Sequence, residues 1–136
     1  MNEYKKPLPL ITELSKQFYN ACKQGKLLYQ KCDDCGQVVF FPKEFCPNCM
    51  GRYLGWLESS GKGKIYTFTV TYDFAPPEFM TDVPYAIAII NMDEGFSIMS
   101  NIVECDFERL KCDMPVEVVF DPVTPEITLP KFRPVK

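Results

Sequence analysis

The stretches Lys31-Cys32-Asp33-Asp34-Cys35-Gly36 and Cys46-Pro47-Asn48-Cys49-Met50-Gly51 carry two Cys-x-x-Cys pairs with ten residues between them. Each pair sets two sulfurs on one tight turn, with backbone N–H groups aimed at them. Gly36 and Gly51 follow the pairs and let the chain fold back without a Cβ clash. Four thiolates fill a tetrahedral shell, so Cys32, Cys35, Cys46 and Cys49 are the expected metal ligands. Such a site staples a segment too small to build its own core. Val38-Val39-Phe40-Phe41, between the pairs, reads as a short β run, and no helix of useful length fits there.

Zinc is the expected ion, as a structural cofactor, because a full shell leaves no position for a reacting water. Iron in the same four-thiolate cage, an electron carrier of rubredoxin type, is the rival, and it would colour the protein red.

Upstream, the spacing predicts a helix over residues 12–24. Thr12 suits the N-cap and Glu13 the positive helix start. Leu14, Phe18 and Cys22 recur every four residues and mark one apolar face. Lys23 falls in the last turn, and Gly25 supplies the left-handed geometry that ends the helix. Pro7 and Pro9 keep the lead-in extended.

Downstream, from Trp56 onward, the signal is β. Ser59-Ser60-Gly61-Lys62-Gly63 is a turn. Tyr66, Phe68, Val70, Tyr72 and Phe74 then alternate with Thr67, Thr69, Thr71 and Asp73, so one face should pack. Pro76, Pro77 and Pro84 make residues 75–84 a loop. Residues 85–92 are apolar at nearly every position and predict a strand buried on both faces. Asp93-Glu94-Gly95 turns the chain back into a partner strand over 96–103. A short helical turn fits within 105–114. Strands over 116–120 and 127–129 follow, and a Pro-rich extended tail over 130–136. About five strands after Trp56 predict a small barrel or barrel-like sheet.

The 136 residues include eleven Phe, seven Tyr and one Trp, a composition that favours strands. The formal charge is −3, and four thiolates with one divalent ion take it to about −5. Such a chain gains nothing from phosphate counterion release, which argues against nucleic acid as a general partner. With no histidine, the usual general base at neutral pH is missing. Residues 1–9 lack the apolar core of a signal peptide, and the apolar run over 85–90 is far too short to span a membrane. Seven cysteines, four of them in metal spacing, point to a reducing, cytoplasmic location. Cys22, on the helix face, reads as core. Cys105 and Cys112 have no histidine to activate them as nucleophiles. The adjacent carboxylates Asp93 and Glu94 read as solvated turn residues.

The order of features resembles the DUF35 family of acyl-CoA-associated zinc-ribbon and OB-fold proteins over almost the whole chain. The resemblance rests on Phe18-Tyr19, Gly25-Lys26-Leu27, the two cysteine knuckles, Phe41-Pro42 and Trp56. It continues through the run from Ser60 to Val70, Val83-Pro84-Tyr85, Asp93-Glu94-Gly95 and Phe132-Arg133-Pro134. Asp113 stands where Gly is expected before Met114-Pro115-Val116, and should take the same left-handed turn at some strain. Tyr19 stands where Trp is common after Phe.

The resemblance implies a mainly β protein with an N-terminal helical segment (1–25), a rubredoxin-like zinc ribbon (26–55) and a five-stranded OB-fold barrel (56–136). It also implies a non-catalytic scaffold subunit that binds acyl-CoA beside a thiolase, a hydroxymethylglutaryl-CoA synthase or a MaoC-like hydratase. A CoA ligand needs cations for its phosphates and an apolar slot for its arm. Lys62 and Lys64, in the turn before the first long strand, and Phe79, Met80 and Tyr85, around the Pro-rich loop, are the candidate ligand or partner surface. A nucleic-acid-binding module is the alternative, since zinc ribbons and OB-folds both occur in that role and aromatics stack bases.

Overall fold

Thr12 caps the helix α1 (Glu13–Lys23) in a computed structural model that describes residues 6, 8–73 and 75–135. Pro7, Phe74, Lys136 and most of the 1–9 segment lie outside the described residues. The Thr12 hydroxyl accepts from the Ser15 N–H at 3.1 Å, and the Ser15 hydroxyl accepts from the Thr12 N–H at 2.9 Å. That reciprocal pair closes two otherwise unpartnered donors. At the other end Gly25 has φ +77°; its N–H donates to the Cys22 carbonyl and that of Lys26 to the Ala21 carbonyl. This crossed pair stops the helix as the glycine predicts.

The buried face of α1 is Ser15, Phe18, Tyr19 and Cys22. The expected stripe began at Leu14, which is 37% exposed. Phe18 and Cys22 hold the expected face, and in the first turn Ser15, tied into the cap, takes the inward place instead of Leu14.

The ribbon sheet comprises β1 (Leu28–Cys32), β2 (Val38–Val39) and β3 (Leu54–Glu58), in the order β2-β1-β3 with antiparallel pairing. β2 is only two residues long. Phe40 and Phe41, joined by a cis peptide bond, leave the sheet and turn against α1. The Phe18 ring meets Phe40 at 5.5 Å and Phe41 at 5.1 Å, both edge-on. β3 crosses the 55/56 division expected between ribbon and barrel.

Five strands close the barrel: β4 (Lys62–Thr71), β5 (Tyr85–Met92), β6 (Ser97–Ile102), β7 (Pro115–Pro122) and β8 (Thr128–Pro134). Their order is β4-β5-β6-β8-β7, and β7 pairs back onto β4. The ring is joined between β6 and β8 at one bridge, Ile102 with Phe132, so the β6 edge nearer Ser97 stays unpaired with β8. Its core is Ile65, Ala88, Ile90, Ile102, Val116 and Phe132, all at most 1% exposed.

Three strand readings change. The alternation on β4 breaks at a bulge between Ile65 and Thr67, which puts Tyr66 outside at 63% exposure and returns Phe68 and Val70 to the core side. The extra residue shifts the period of two by one. β5 is fully buried on one face only: Ala86, Ala88, Ile90 and Met92 are buried, while Tyr85, Ile87 and Ile89 are half-buried. β8 continues to Pro134, through the segment expected as a tail, because Phe132 plugs the barrel. Asp113 takes the expected left-handed turn at φ +67°.

The ribbon meets the barrel at Ser59, whose N–H donates to the Leu27 carbonyl at 2.8 Å. The Glu94 carboxylate of the β5–β6 turn accepts from the Ser59 hydroxyl at 2.5 Å and from the Ser60 N–H at 2.9 Å. Glu94 is therefore engaged at this joint and is not the freely solvated turn residue expected. Partial burial pushes its pKa up, and the hydrogen bonds from Ser59 and Ser60 more than reverse this, leaving it below the ordinary 4.5. A depressed carboxylate stabilises the fold above its unfolded value, and the effect fades as pH falls through the folded value. Glu94→Gln should thus lower Tm at neutral pH and narrow its gap to wild type below pH 4.5, read by thermal melts across pH 3–7. A gap independent of pH would show that Glu94 acts only by shape.

Candidate metal centre and ligand surface

Two matching turns carry the cysteines. In the first, the Gly36 N–H donates to the Cys32 carbonyl at 2.9 Å; in the second, the Met50 N–H donates to the Cys46 carbonyl at 2.8 Å. Gly36 has φ +78° and Met50 φ +64°, so Met50, not Gly51, takes the left-handed position of the second knuckle. Gly51 is needed for a different reason. A Cβ there would lie 2.5 Å from the Asp34 carboxylate and 3.2 Å from the Cys49 sulfur.

The sulfurs of Cys32, Cys35, Cys46 and Cys49 all lie within 4.8 Å of one another. Cys32–Cys49 and Cys35–Cys46 are each separated by 3.6 Å. Four sulfurs at about 2.3 Å from a shared ion sit about 3.8 Å apart, so the cluster matches a tetrahedral zinc shell. Cys32 and Cys46 are buried, and Cys35 and Cys49 face solvent.

Without a metal Cys35 and Cys49 do not ionise alike. The Asn48 amide, 3.5 Å from the Cys35 sulfur, and the Gln37 N–H favour the Cys35 thiolate and lower its pKa to about 6. At Cys49 the Gly51 N–H also favours the thiolate, but the neighbouring sulfurs of Cys32, Cys35 and Cys46 outweigh it and push the pKa up to about 12. A divalent cation shared by the four sulfurs favours the thiolate at each.

The expected ligand surface divides in two. Phe79 and Tyr85 have ring centroids 5.9 Å apart and line a cavity of about 360 Å³ together with Lys6, Glu104 and Lys131. Met80, from the same 3₁₀ turn (Pro77–Asp82), is 44% exposed and outside the residues that line it. Lys62 and Lys64 are exposed at the opposite end of the β4–β5 ladder. Lys64 pairs with Asn91, whereas Tyr85 pairs with Thr71, roughly 20 Å away along the strand.

A larger cavity, about 490 Å³, is one that sequence reasoning missed. It lies between α1, the Phe40–Phe41 pair and the outer side of β6 and β8. Its walls come from four distant segments, so no local pattern announces it.

The thiols outside the metal cluster differ in setting. Burial pushes Cys22 up to about 12, as a core thiol. Burial and Asp106 raise Cys105, while Cys112 is exposed. Among the described residues no helix is long and apolar enough to cross a membrane.

Comparison with known proteins places both modules. Residues 20–52 match the family model "ChsH2, rubredoxin-like zinc ribbon domain", and residues 56–121 match "ChsH2, C-terminal OB-fold domain". The cluster is thus a structural zinc site. A DUF35 domain-containing scaffold protein of Methanocaldococcus jannaschii is 41% identical over 95 residues, covering 69% of this chain and 67% of the relative. A probable enoyl-CoA hydratase alpha subunit of Thermomonospora curvata is 30% identical over 95% of this chain, which spans only 40% of that subunit's length. The benzoylsuccinyl-CoA thiolase subunit BbsA of Geobacter metallireducens is 29% identical, covering 85% of this chain and 77% of the relative. Among solved structures, a chain of the Ltp2-ChsH2(DUF35) aldolase superposes with a TM-score of 0.83 at 30% identity, covering 93% of this chain and 98% of that one.

Proposed function

Since this chain belongs to the DUF35 family of scaffold proteins, we propose that it is the non-catalytic, acyl-CoA-binding subunit of a complex with a thiolase-superfamily enzyme or a MaoC-like hydratase. The observation that carries this reading is the closed metal shell: all four sulfurs within 4.8 Å are spent on one ion, so the zinc offers structure and no reacting site. The ribbon and the barrel are locked at Ser59 and Glu94, which suits a part whose task is to hold others in place. Relatives that carry the names of hydratase and thiolase subunits support the class of partner.

The test is a pull-down of the tagged chain from its own cells, with the partners identified by mass spectrometry. A thiolase or hydratase should appear in stoichiometric amount, and the chain alone should leave acyl-CoA unconverted. A chain recovered alone, or one that turns over an acyl-CoA by itself, overturns the reading.

A further inference from the structure

The cavities of about 490 and 360 Å³ are neighbours: Asn101, Leu129 and Lys131 line both. Together they form one trough along the seam between β6 and β8. From Ser97 to Val103 the seam runs roughly 20 Å, and its two ends differ in chemistry.

One end is an aromatic box. Phe18, Tyr19, Phe40 and Phe41 line it, locked together by edge-on contacts of 5.1–6.1 Å between rings. Met99, 68% exposed, lies on the β6 side. The other end carries charge beside aromatics. The Lys6 ammonium lies 5.4 Å from the centre of the Phe79 ring, and Lys131 is held by Asp121 at 2.6 Å. Glu104 also lines this end, and Arg133 lies 3.4 Å from its carboxylate.

Between the ends runs an open strand edge. The Met92 N–H donates to the Phe96 carbonyl at 2.8 Å, which sets the alternation of ladder bonds along the β5–β6 hairpin. Ile98, Ser100 and Ile102 then bond toward β5, while the backbone groups of Ser97, Met99 and Asn101 turn the other way. β8 pairs with β6 only at Ile102 and Phe132. Nearer Ser97 the seam is bridged by the Ser100 hydroxyl, which donates to the Pro130 carbonyl at 2.8 Å. Pro130 has no N–H to offer the edge.

We propose that this seam binds a CoA thioester with a bulky, apolar acyl group. The acyl group sits in the box at Phe41, the pantetheine arm lies along β6, and the nucleotide sits toward Phe79 and Lys6. The inference rests on the acyl-CoA reading above and adds the class of acyl group and its direction. An arm with two secondary amides spaced along an extended chain meets the N–H and C=O groups of an open β edge as a strand would. A box with four aromatic rings in its wall, at one end of the larger cavity, gains little from acetyl and much from a ring.

The test is calorimetric titration of the zinc-loaded full chain with CoA, acetyl-CoA and benzoyl-CoA. Benzoyl-CoA should bind about tenfold tighter than acetyl-CoA. Phe41→Ala should erase that difference and leave CoA unchanged, whereas Phe79→Ala should weaken all three by one common factor. Should Phe41→Ala fail to fold, Met99→Ala, at a residue 68% exposed, should shrink the benzoyl preference in the same direction. Equal affinities for acetyl-CoA and benzoyl-CoA, or no binding of any of the three, overturn the seam site. Equal affinities overturn the seam site alone, no binding overturns the acyl-CoA part of the proposed function with it, and the pull-down of an enzyme partner is unaffected by either result.

Discussion

Cys49→Ser should yield a chain without zinc, whose ribbon no longer folds and which no longer assembles with its partner. Structural zinc contributes on the order of 10 kcal/mol or more to small four-ligand sites. The net stability of a whole domain is only about 5–15 kcal/mol. Three sulfurs leave the shell open, and the segment that carries the knuckles has little regular structure, since β2 is two residues long. The loss should spread, because Phe40 and Phe41 are held between the knuckles and pack on Phe18 of α1. Metal analysis should find far less than one zinc per chain, and proteolysis should cut first within residues 28–58. A folded, metal-free variant that still assembles would sink the structural reading of the zinc.

Phe132→Ala should cost about 3–5 kcal/mol, the range for a large aromatic removed from a closed core. Phe132 is 0% exposed and sits where β8 meets β6 and β7, paired with Ile102 on one side and Val118 on the other. Its carbonyl also accepts from the Val103 N–H at 2.7 Å. For a chain of this size the Tm should fall by roughly 10–15 °C. Met99→Ala, at an exposed position on the neighbouring strand, is the control and should melt within a degree or two of wild type. A Phe132→Ala protein as stable as that control would mean the barrel is not held together at this seam.

These two sites mark what the sequence made legible. The zinc ligands stand out because coordination chemistry needs four sulfurs at short, paired spacings, and such spacings are visible along a chain. The helix ends at Thr12 and Gly25, the hairpin at Gly95 and the strained turn at Asp113 are local too. The alternation assigns Tyr66 to the packed face and the structure puts it outside, because a bulge adds one residue to a ladder without leaving a compositional mark. β8 reads in the sequence as a shorter strand and a tail because two of its seven residues are prolines, and only the closing of the barrel supplies Phe132 with a core.

The ligand surface shows the same limit more sharply. Phe79 and Tyr85 do come together, but Lys62 and Lys64 share only a strand pair with that end of the barrel. Cations were paired with aromatics by chemistry alone, and β4 is long enough to carry them apart. The trough along β6 and β8 joins residues near positions 18, 40, 99 and 130, which no window along the chain contains.

The joint at Ser59 has a mechanical consequence. Cys32 lies opposite Leu54, at the far end of β3 from Ser59, so the zinc stands roughly 17 Å from the pivot. On an arm of that length a tilt of ten degrees carries the metal knuckle through about 3 Å, the full reach of a hydrogen bond. The scaffold role proposed above leaves little tolerance for such play. Glu94, reaching back from the β5–β6 turn to two consecutive serines, holds the arm from a second direction. Its value then lies in the angular accuracy with which the ribbon is presented to the barrel.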